Sequence, residues 1–112
     1  MSSSKALKPM HVDGFRMEAW NEQDATPKNN LLVADTAENM VVPTAITPIV
    51  CRLQSDTDLW YDYDATATIP TDDTGVSHYL AAGQERWIQV KGVTNISLKS
   101  AGAAKVCGLF WE

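Results

Sequence analysis

Residues 49–64 read IVCRLQSDTDLWYDYD, and this stretch decides the fold. Ile49, Cys51 and Leu53 point to one side of an extended chain, and Val50, Arg52 and Gln54 to the other. Beyond the turn-forming residues Ser55 to Asp58, Leu59, Tyr61 and Tyr63 alternate with Trp60, Asp62 and Asp64. A repeat of two belongs to a strand, because successive side chains leave its opposite faces. The pattern returns downstream, with Ile88 and Val90 set against Trp87, Gln89 and Lys91, and Ile96 and Leu98 against Asn95, Ser97 and Lys99. Residues 104–111 are apolar on both sides apart from Lys105, as in a strand covered on both faces. Turn residues at Pro70 to Gly75, Ala82-Gly83, Lys91-Gly92 and Ala101-Gly102 separate the runs. An all-β fold follows, an antiparallel β-sandwich whose last three runs are expected to form a meander closed by short hairpins.

Upstream of this region the signal weakens. Residues 1–12 include a serine triplet and Pro9 and bury too little apolar surface to offset their ordering entropy, which predicts an extended N-terminal arm. Residues 13–112 then form the single sandwich domain. Within them, Phe15, Met17 and Ala19 alternate with Arg16 and Glu18. The polar stretch from Asn21 to Asn30, with Pro27, reads as a long contact loop. Asp35-Thr-Ala-Glu38 has the form of a capping box, but Val41, Val42 and Pro43 limit any helix there to one turn.

A chain of 112 residues suits one domain able to bury a core without metals or disulfides. The net charge of −5 argues against a nucleic-acid partner, since phosphate binding draws on clustered Lys and Arg. The charge is concentrated: residues 55–73 hold six acids and no base. No run approaches the ~20 apolar residues that span a bilayer, and the first residues lack the apolar core of a signal peptide, so neither membrane insertion nor export is expected. Cys51 and Cys107, 56 positions apart in apolar runs, are then expected as buried reduced thiols.

The chemistry of the side chains points away from catalysis. There is no nucleophile elbow, phosphate-binding glycine loop or His-Glu-x-x-His motif. Ser77 and His78 are neighbours on an extended chain and leave its opposite faces, so they cannot act as nucleophile and base. Asp56, Asp58, Asp62, Asp64, Asp72 and Asp73 are hard ligands of the kind calcium takes. The EF-hand pattern nevertheless fails: counted from Asp56, the sixth position is Tyr61 and the twelfth Ala67. These acids read as a solvated row that protects a sheet edge. Two distant Cys and two distant His make no zinc site. Neither a metal nor a cofactor is expected.

Four tryptophans are the remaining signal. Parity places Trp60 beside Asp62 and Asp64, and Trp87 beside Gln89 and Lys91, on the polar faces of their strands. Trp111 falls in the two-sided apolar run and is expected in the core. Exposed tryptophan among polar residues anchors protein interfaces and also stacks on sugars.

The order of motifs from Ile46 to Trp111 resembles a known group. An Asp-rich aromatic strand (residues 56–63) is followed by Ala-Thr-Ile-Pro70 and a Thr/Asp/Gly loop to Gly75. Then come Tyr79-Leu-Ala-Ala-Gly83, Glu85-Arg-Trp-Ile88, Gly92-Val-Thr-Asn-Ile-Ser97 and a closing apolar strand. This series is similar to the small structural proteins of tailed bacteriophages, most of all to the capsid cement, or decoration, proteins of short-tailed phages. The resemblance implies a sandwich of jelly-roll type that binds the outside of the assembled capsid, with the major capsid protein as partner and the virion surface as location. A homodimer is expected as the commonest closed assembly. Lys5 and Leu7 in the arm, with Trp60, Asp62, Asp64, Trp87 and Lys91 on the core, are the expected contact residues. The competing expectations are a tail or head-fibre module that binds host glycan through Trp60 and Trp87, and a component of the head–tail connector.

Overall fold

Alternating residues build two sheets, seen in a computed structural model that describes residues 22–112. Among these residues the strands are β1 (Thr26–Leu32), β2 (Glu38–Val41), β3 (Val50–Ser55), β4 (Leu59–Tyr63), β5 (His78–Leu80), β6 (Glu85–Gln89), β7 (Asn95–Lys99) and β8 (Ala104–Trp111). A single 3₁₀ turn, Glu22–Asp24, precedes them. A front sheet has the order β1-β8-β3-β6 and a back sheet β2-β7-β4-β5, and every pairing is antiparallel. The pairs are nested: β1 with β8, β2 with β7, β3 with β6, and β4 with β5. The all-β sandwich expected from the period of two is what the chain forms. The arm of residues 1–12, with Lys5 and Leu7, lies outside the described residues.

Two local expectations are corrected. Strands β6, β7 and β8 form no meander: β6 pairs with β3, β7 with β4 and β2, and β8 with β1 and β3. The short turns between them carry the chain from one sheet to the other, which a glycine turn permits as readily as a hairpin. The second half of the supposed contact loop is β1, whose seven residues run alongside β8 from Thr26 opposite Phe110 to Leu32 opposite Ala104. Its polar composition hid it, because an edge strand draws its stability from the ladder beside it and tolerates Pro27. The single turn allowed at Asp35 is a tight one closed by the Thr36 amide on the Val33 carbonyl, with Asp35 at φ 56° donating its amide to the carbonyl of Ser100 at 2.7 Å. Glu38 then opens β2.

Between the sheets lie Met40, Cys51, Leu53, Leu59, Tyr61, Leu80, Ile96, Leu98, Val106 and Phe110, all essentially inaccessible. Gly108 allows the sheets to approach: a β-carbon there would sit 2.7 Å from Met40 Sδ and 3.2 Å from Cys51 Sγ. The two open sides of the sandwich are closed by polar side chains. On one, Asn30 Nδ2 donates to Glu38 Oε1 at 2.8 Å and to the Asn39 carbonyl at 3.2 Å, joining β1 to β2. On the other, Arg86 Nη1 donates to the Tyr61 hydroxyl at 3.4 Å and Nη2 to the Tyr79 carbonyl at 3.3 Å, joining β6 to β4 and β5.

Cys51 and Cys107 are both free thiols. Cys51 stands opposite Phe110 and faces the core, whereas Cys107 stands opposite Gln54 and faces outward. Residues on opposite faces and three registers apart cannot bridge. Burial pushes the Cys51 thiol up to about 12, with Cys107 nearby adding to the shift, so it stays protonated and inert at neutral pH.

Candidate functional site

The segment read as a row of solvated acids has a different task. Asp56 Oδ1 accepts from the Lys105 amide at 2.8 Å, and Asp58 Oδ1 from the Ala82 amide at 3.0 Å. Asp62 Oδ1 accepts from the Tyr63 amide at 2.9 Å, and its other oxygen faces the Ser77 hydroxyl at 3.5 Å. Asp64 accepts from the Thr94 and Asn95 amides, the latter at 2.8 Å, while its own amide donates to the Asn95 carbonyl at 2.9 Å. Asp58 and Asp64 therefore tie the segments entering β6 and β7 to the two ends of β4, and Asp56 ties the end of β3 to β8, each through a backbone N–H, whereas Asp62 binds the amide of its own neighbour. Asp64 has φ 52°, a left-handed conformation that Asp tolerates better than most residues, and β4 stops before it. It therefore does not continue the strand face of Asp62, and the two form no paired site.

Asp72 follows the same logic on a smaller scale. It accepts from the Thr74 amide at 2.9 Å and hydroxyl at 2.6 Å, and these bonds hold its carboxyl below the usual range. Among the described residues, no group of three or more His, Cys, Asp or Glu side chains is placed to hold a metal ion. The hollows in this part of the surface are shallow. One of about 200 Å³ is lined by Asn39, Asp64, Ala65, Thr66 and Asn95. The spacing Asp72-x-Thr74 is a legible turn signal in the sequence. The pairings of Asp56, Asp58 and Asp64 depend on segments 24 to 49 residues away and left no local trace.

The aromatic residues divide between the two outer faces. Trp60 projects from the back sheet opposite Tyr79, and their ring centroids are 4.7 Å apart at an interplanar angle of 40°. Desolvation, with the Asp58 carboxylate beside the hydroxyl, raises the pKa of the Tyr79 phenol. The loop after Asp64 folds back across the rest of that face. Ala67 is fully buried there, and its amide donates to Ser97 Oγ at 2.9 Å. Trp87 projects from the front sheet, 41% exposed, with Arg52 5.8 Å from its centroid and Trp111 stacked at 5.3 Å. Arg52 also binds Glu22 at 2.9 Å. Lys91 is exposed in the turn that follows β6. The structure thus brings Trp60 and Asp62 to one outer face and Trp87 to the other, and it brings no group of them into a common cleft.

His78 is exposed at the edge of the back sheet, stacked 5.2 Å from Tyr61 and tilted against Tyr63 at 5.4 Å. Burial and the adjacent Tyr61 push the Tyr63 phenol up to about 12. Ser77 Oγ accepts from the Thr68 amide at 3.0 Å and so pins the long loop. These residues form an aromatic edge to the core.

No family model and no curated protein matches this chain. Among solved structures, a chain from Bacillus endospore appendages, which form a novel family of disulfide-linked pili, is similar over 79% of this chain and 84% of that chain. The two share 12% sequence identity with a TM-score of 0.42, too slight a likeness to transfer anything to this protein.

Proposed function

We propose that this protein is a non-enzymatic virion component of a tailed phage, binding the outside of the assembled capsid and reinforcing contacts between major capsid protein subunits. One observation carries the reading. Asp56, Asp58 and Asp64 are committed to backbone amides of distant segments, while aromatic anchors stand on both outer faces of the sandwich, Trp60 with Tyr79 on one and Trp87 on the other. Two anchored faces suit a protein that contacts more than one neighbour. The nested strand pairing supports the jelly-roll reading of the sandwich, an architecture used by viral capsid domains and by lectins. Residues 1–12 add a third contact, a strand lent to a coat-protein sheet. Each bound copy stabilises the shell by mass action. A homodimer presenting two such arms suits a junction between capsomers.

Co-sedimentation with undecorated capsids, at low and high salt, tests this proposal. Saturable binding at a fixed ratio to coat subunits is the expected result, weakened by Trp87→Ala or Trp60→Ala and by removal of residues 1–12. No binding to intact shells overturns it. The Trp60–Tyr79 pair favours one second reading, a glycan-binding module, in which host polysaccharide quenches tryptophan emission and Trp60→Ala abolishes the quenching.

A further inference from the structure

We propose that β1 pairs with its counterpart in a second copy of this chain, antiparallel about a two-fold axis through Asn29, so that two four-stranded front sheets become one continuous sheet. The inference rests on the homodimer of the reading above and gives it a surface. β1 ends the front sheet, with β8 on one side and no strand among the described residues on the other. An unpaired edge offers a row of N–H and C=O groups, and folded proteins protect such edges by shortness or by charge. The other three edges follow that rule: β2 has four residues, β5 has three, and β6 carries Glu85 and Arg86. β1 has seven residues. Leu32 faces the core, so Pro27, Asn29 and Leu31 form the outward row, and all three are exposed and uncharged. Leu31 is 71% exposed, and Val33, just beyond the strand, is 65% exposed.

The sequence of β1 is complementary to itself in one register. A two-fold axis normal to the sheet keeps each face on its own side, so residues set opposite one another share the same parity. With the axis at Asn29, Asn29 meets Asn29, Pro27 meets Leu31, and Lys28 meets Asn30. The outward row then sets each exposed leucine against a proline and takes both from water. Proline offers no donor to the new ladder, and it lies near the end of the strand, where the loss matters least. On the inward row the match is electrostatic. Asn30 Nδ2 donates to Glu38 Oε1 at 2.8 Å, which fixes that carboxylate beside Asn30 at the open side of the sandwich. Lys28 is the one base of β1 and forms no ion pair among the described residues. Opposed residues lie about 5 Å apart, so Lys28 of each copy reaches the Glu38 carboxylate of the other. The neighbouring registers lose this match. An axis at Asn30 sets Lys28 against the buried Leu32, and an axis at Lys28 sets the two lysines against each other.

Light scattering on the full chain over a wide range of concentration gives the first readout, and a dimer is the expected result. Lys28→Glu and Glu38→Lys should each weaken dimerisation about tenfold, and the two together should restore it, because the charges then exchange places across the axis. A cysteine on the axis gives a readout that does not depend on weakening the protein. Asn29→Cys places a thiol opposite its own twin at a separation a disulfide can close. It is made together with Cys107→Ser, because Cys107 stands opposite Asn29 on β8 of the same chain. Oxidation with diamide should link this variant into covalent dimers, and should link Asp73→Cys, on an exposed loop in the same background, about tenfold more slowly. A dimer in which Asn29→Cys links no faster than Asp73→Cys, or in which the exchanged pair fails to restore association, overturns the β1 interface while the homodimer stands. A monomer at every concentration overturns the interface and the homodimer together, and co-sedimentation with capsids still decides the capsid reading separately.

Discussion

The two outer faces of the sandwich solve one problem by different means. On the back sheet, the loop after Asp64 folds over β7 and is held by polar bonds, Ala67 to Ser97 and Thr68 to Ser77, while Trp60 and Tyr79 stand at the margin. On the front sheet, aromatic and cationic groups are stacked together, Trp111 against Trp87 and Arg52 near Trp87, with Glu22 fastened to Arg52. A polar cover can be loosened bond by bond. A buried tryptophan cannot be exposed in part without losing most of its packing. The back face is thus the tolerant one, and the front face carries more of the stability.

The sharpest way to break this contrast is to truncate the two tryptophans separately. Trp111→Ala is expected to lower unfolding free energy by about 3–5 kcal/mol, the usual range for a fully buried large aromatic. Trp60→Ala, at a half-buried position, is expected to cost about 1–2 kcal/mol. Denaturant midpoints at constant m-value measure both, and equal losses would abolish the distinction between the faces.

The polar side of the comparison is sharpened at Asp64. Asp64→Ala leaves the Thr94 and Asn95 amides without their acceptor and places a β-branchless but non-glycine residue at φ 52°, for an expected loss of about 1–3 kcal/mol. Asp64→Asn keeps an acceptor and tolerates the left-handed backbone, so it should recover more than half of that loss. If Asn and Ala behave alike, the carboxylate's charge and not its geometry holds the loop.

Alkaline pH tests the space between the faces. Cys51 has a folded pKa of about 12 against 9.0 for the free thiol, and Tyr63 about 12 against 10.0. In both, the folded state holds its proton longer than the unfolded state. Their stabilisation is complete below pH 9 and is lost as pH rises towards 12. The midpoint in denaturant should therefore fall above pH 9, and less steeply in Cys51→Ala. The smallest effect is expected at Asp72, whose bonds to Thr74 lie in an exposed turn. Asp72→Ala should leave the denaturant midpoint essentially unchanged.

Much of this was legible in residues 49–64 and their downstream repeats. The inward positions Cys51, Leu53, Leu59, Tyr61, Ile96 and Leu98 follow from parity, and so do the outward positions Trp60 and Trp87. β1 was not legible, because its residues are polar and its support comes from β8, more than seventy positions away. Trp111 shows the limit of parity: it is buried as its apolar run suggests, yet on the outward side of the front sheet. The role of the acids was equally hidden. Alternation and turn chemistry are properties of neighbouring residues, so local order alone dictated strands, turns and the class of fold. Which strands pair, which amides Asp56, Asp58 and Asp64 receive, and where the covered tryptophan lies depend on contacts between distant segments. Those contacts come into being only when the two sheets close on each other, and only the folded chain decides them.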